Sequence, residues 1–80
     1  MARIRSFRES NHAARPHPTE VDCEHRVVSD GDRVLLHLST LGSDQRRSGP
    51  KSSQSIQLDE AHARELVQII EHAFPDLRRR

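Results

Sequence analysis

Eighty residues make at most one domain, and a chain that is 32% hydrophobic and 31% charged can bury little apolar surface unless it is stapled or oligomeric. A single cysteine, Cys23, excludes an internal disulfide framework, and no apolar run is long enough to span a membrane or to act as a signal segment after Met1. The net charge of +1 excludes a uniformly basic protein, but it conceals blocks: basic tails, one basic loop, and acidic segments between them.

Residues 1–18 carry Arg3, Arg5, Arg8 and Arg15 against Glu9. They include two prolines and no sustained apolar period, so a disordered or irregular basic arm, dispensable for folding, is expected there. Residues 19–77 read as a single small domain and 78–80 as a basic tail, Arg78-Arg79-Arg80. The alternation in Glu20–Val28 predicts a strand with Val21, Cys23, His25 and Val27 on one face. Asp30-Gly31 predicts a two-residue hairpin turn. The following "RVLLHLSTL" predicts a second strand, with Val34, Leu36 and Leu38 continuing the core face. With that turn, Val27 faces Val34, His25 faces Leu36 and Glu24 faces His37. The opposite, uncovered face then presents Arg26, Arg33, Leu35, His37, Leu41, Ser55 and Gln57, and the exposed leucines on it mark a partner surface.

Gly42 to Ser53 follow, twelve residues without a large apolar side chain but with Arg46, Arg47 and Lys51. Loops of this length are usually functional or disordered. "SQSIQL" predicts a third strand with Ile56 and Leu58 inward. Asp59 is a suitable N-cap for a helix over Glu60–Phe74, ended by Pro75. Its apolar spacing directs Leu66, Val67, Ile70 and Phe74 onto Val34, Leu36, Ile56 and Leu58. The expected fold is α+β: a small antiparallel sheet of about three strands, a hairpin plus a third strand, with one C-terminal helix packed on one face.

Six histidines and Cys23 invite a metal reading, but there is no Cys-x-x-Cys or His-Glu-x-x-His, and His62 and His72 stand ten apart. Cys23 and His25 are read as core residues, and Glu24 with His37 as an exposed cross-strand pair. No nucleophile, base and orienting group assemble, and the three glycines are scattered. A non-enzyme without metal or cofactor is expected, in a cytoplasmic, reducing setting.

The run from Leu38 to Pro75, with its Gly-Ser turn, basic loop and "SQSIQLD" strand leading into a helix, resembles a group of short bacterial proteins of unassigned function. The order of elements is also similar to the positive-cofactor-four-like (transcriptional coactivator) single-stranded-DNA-binding domain. That resemblance implies a homodimer that binds single strands rather than duplex on a curved sheet, with Arg46, Arg47 and Lys51 matching the basic inter-strand loop. Leu41 stands where that family usually has an aromatic residue, and the three expected strands are one fewer than its four. Two functions follow as expectations. One is nucleic-acid binding by a dimer, through Arg46, Arg47 and Lys51, with Arg26 and Arg33 on the sheet and Arg78–Arg80 or Arg3, Arg5 and Arg8 as arms. The other is a non-catalytic interaction module or accessory subunit that docks on a protein partner.

Overall fold

The computed structural model describes residues 1–42 and 52–78. Strands β1 (Ala2–Arg3), β2 (Cys23–Asp30), β3 (Arg33–Leu41) and β4 (Ser52–Leu58) are followed by helix α1 (Glu60–Ala73) and a single 3-10 turn, Pro75–Arg78. The strands form one sheet in the order β1-β4-β3-β2. The hairpin β2–β3 and the pair β3–β4 are antiparallel, while β1 runs parallel to β4. The architecture is α+β, with the helix packed against the sheet. Its fourth strand comes from the N-terminal arm, where an irregular segment is expected from sequence. The Ile4 N–H donates to the Gln57 carbonyl at 2.9 Å and extends that pairing. Residues 5–22 form no helix or strand.

The hairpin turn falls on Gly31-Asp32, one residue later than the sequence implies. Gly31 has φ +62° and no other described residue has positive φ. A single positive φ at the first central position is the type II′ pattern, which needs glycine there. A turn on Asp30-Gly31 of type I′ would force Asp30 into the left-handed region as well. The register therefore moves by two: Val27 faces Leu36, His25 faces Leu38, and Glu24 faces Ser39 instead of His37. Because side chains alternate with period two, an even shift leaves the two faces as expected.

One face carries Val27, Val34, Leu36, Leu38, Ile56 and Leu58; the other carries Val28, Leu35, His37, Ser39, Gln57 and Arg26. The burial is not what this division implies. Leu58 is buried at 1% exposure, but Val34 (60%), Val27 (66%) and Ile56 (37%) on its face are exposed. Cys23 and His25 are exposed as well. Leu35, expected to be bare, is buried at 3%. Helix α1 reaches only β3 and β4. Its half-buried residues are His62, Ala63, Leu66 and Glu71, while Val67, Ile70 and Phe74 remain exposed. The expected packing of those three onto Val34 and Ile56 is not made within one chain, because α1 approaches the sheet at its first turns. That approach leaves an open cleft lined by Val34, Leu36, Leu58, Ala61 and Ala63.

Candidate nucleic-acid interface

Of the five cations singled out in the sequence, Arg46, Arg47 and Lys51 lie outside the described residues. Arg26 and Arg33 lie on the same sheet face, on β2 and β3. The register brings onto the sheet a residue, Arg3, that the sequence places only in a basic arm. Arg26 faces His37, His37 faces Gln57, and Gln57 faces Arg3. One row thus crosses all four strands: Arg26, His37, Gln57, Arg3. A two-residue strand, Ala2–Arg3, is too short to show any period, so Arg3 reads as part of a tail in the sequence. Within the row, Gln57 Nε2 and His37 Nδ1 are 3.0 Å apart and hydrogen-bonded.

Arg3 also does something structural. Its Nη1 donates to Asp30 Oδ2 at 3.1 Å, and Arg33 Nη2 donates to the same oxygen at 3.4 Å. Arg3 and Asp30 sit on the two outer strands, three strand spacings apart, or about 14 Å in a flat sheet. Their contact joins the two outer strands across this face. Between the Arg3 row and the Asp30–Arg33 pair lies the Val28–Leu35 pair. In that pair Leu35 is buried and Val28 half-buried. All three charged side chains are about half exposed, so each ion pair contributes little to stability and leaves the guanidinium groups open to solvent. Arg26 is exposed and has no ion pair among the described residues. The acid on the adjacent row is Glu24, opposite Ser39.

The helix start is set by Asp59, whose carboxylate accepts from the His62 backbone N–H at 2.9 Å. The same oxygen lies 2.7 Å from His62 Nδ1. The His62 backbone N–H, then its ring, hold the Asp59 carboxyl below the usual range. The hydrogen bond to Asp59 raises the His62 imidazole, and the backbone of Arg5 in the arm adds to it. The histidine contribution to stability is complete below its ordinary pKa of 6.5 and is lost as pH rises through the raised value. The aspartate contribution is complete above 3.8 and is lost as pH falls through the lowered value. The stabilisation from this pair should accordingly be greatest between 3.8 and 6.5 and decline on either side. His62→Gln should flatten the alkaline decline in melts recorded across pH; an unchanged decline would assign it to other groups.

Among the described residues no three His, Cys, Asp or Glu side chains gather to hold a metal ion, and no helix is long and apolar enough to cross a membrane. No family model, no curated protein and no solved structure matches this chain.

Proposed function

We propose that the protein binds nucleic acid without catalysis, preferring single strands, by contacting phosphates from this sheet face and from the loop that bears Arg46, Arg47 and Lys51. The observation that carries the reading is the row Arg26–His37–Gln57–Arg3, polar side chains from four adjacent strands on one sheet face. A polyanion laid across the strands meets a donor at each of them. The loop between β3 and β4 adds three cations with no acid among residues 46–51, and these repel one another unless an anion is near. The likeness of the element order to the single-stranded-DNA-binding domain named above points the same way. The only aromatics, Phe7 and Phe74, are on the arm and after the helix. Base stacking is therefore a minor term and affinity rests on phosphate contacts.

The test is titration with single-stranded and duplex oligonucleotides over a range of salt. Wild type should bind single strands at low salt and weaken steeply as salt rises. Replacing Arg46, Arg47 and Lys51 together by Ala should remove most of the affinity and reduce the salt slope by up to about 2 for a single strand. Both proteins should melt alike, because exposed loop charges contribute little to stability. No binding at low salt would sink the proposal. It would favour the second reading, a non-catalytic interaction module or accessory subunit, for which the exposed apolar residues of α1 speak.

A further inference from the structure

The sheet face opposite the basic row and the helix beside it leave a broad apolar surface exposed. Among the described residues only Leu35 and Leu58 are buried apolar side chains, and they lie on opposite faces of the sheet. Val27, Val34 and Ile56 on the sheet, and Val67, Ile70 and Phe74 on the helix, stand between 37% and 66% exposed. The two sets are contiguous. The cleft between sheet and helix is lined by Val34, Leu36 and Leu58 on one side and by Ala63 on the other. From Ala63 the helical stripe continues through Val67, Ile70 and Phe74, at spacings of four, three and four. At these exposures the six side chains offer on the order of 500 Å² of apolar surface, about what a standard-size interface takes from each partner.

We infer that a second copy of this chain covers this face, the helix stripe of each protomer lying on the Val27–Val34–Ile56 side of its partner's sheet. One chain carries both the ridge and the surface that the ridge fits. Exchange about a two-fold axis satisfies both at once and closes the assembly at two. The Arg26–His37–Gln57–Arg3 row lies on the opposite face and stays open, so the inference does not depend on nucleic-acid binding.

Sedimentation equilibrium of the full chain tests it. At roughly 50 μM, above a micromolar dissociation constant, the mass should be twice the 9.2 kDa of one chain. Val34→Asp combined with Val67→Asp should return it to 9.2 kDa. Both positions are more than half exposed in one chain, so the charges cost the protomer little. Glu24→Ala with Arg26→Ala, on the other face, should leave the dimer intact. A wild-type mass of one chain overturns the inference, as does a dimer that survives the two aspartates or is lost with the Glu24 and Arg26 changes. Should the aspartate variant fail to fold, the wild type still decides: its melting temperature must fall on dilution, and one independent of concentration overturns the inference.

Discussion

Leu58→Ala should lower the stability of the domain by about 2–5 kcal/mol, the usual cost of emptying a leucine-sized site in a core that cannot collapse. Leu58 is the largest fully buried side chain, at 1% exposure. It ends β4 one residue before the cap of α1, opposite Leu36, so it joins the sheet to the helix start. A domain of this size has a total stability of only about 4–12 kcal/mol, so the substitution should shift the melting temperature by on the order of 10–25 °C. Urea denaturation of both proteins, with the slope checked for two-state behaviour, measures it. A loss below about 1 kcal/mol would show that Leu58 is not the centre of the core. Ile70→Ala makes the contrast. At 37% exposure it should cost little where the chain is alone, and more where a second copy covers α1.

Removing residues 1–8 should also destabilise the protein, by about 1–3 kcal/mol or on the order of 5–20 °C in melting temperature. The arm contributes the β1 pairing and the Ile4–Gln57 hydrogen bond at 2.9 Å, and its Ile4 and Phe7 are half-buried. Phe7 lines a groove with Gln68, Ile69 and His72 of α1. Partial burial of the two apolar side chains contributes about 1–2 kcal/mol and the ladder about 1 more, offset in part by the cost of ordering the arm. The truncation also removes the Arg3–Asp30 ion pair. Differential scanning calorimetry of the truncated and full chains decides the matter, and an unchanged melt would return the arm to the dispensable segment that its composition implies. Arg3→Ala alone should cost well under 1 kcal/mol in ion pairing, because both partners are about half exposed.

Local signals in the sequence determined most of the fold. Alternation marked β2, β3 and the inner part of β4; Asp59 and Pro75 bracketed α1; and a turn near Gly31 followed from Asp-Gly. These are properties of neighbouring residues, so they are legible without the rest of the chain. The even shift in register kept Arg26 and Arg33 on one face, as the pattern implied. What joins distant parts of the chain was decided only in three dimensions. The turn fell on Gly31-Asp32, with Gly31 alone at positive φ, and this moved His37 from Glu24 to Arg26. Ala2–Arg3 became a strand because β4 offered it an open edge, and no two-residue segment carries a period to announce that. Arg3 therefore entered the basic row, and Leu35 on the same face proved buried rather than exposed. Helical spacing correctly showed that Val67, Ile70 and Phe74 share a stripe. It could not show what the stripe meets, because the angle at which a helix leaves its last strand is set by packing at Leu58 and Asp59, not by the period of the helix itself.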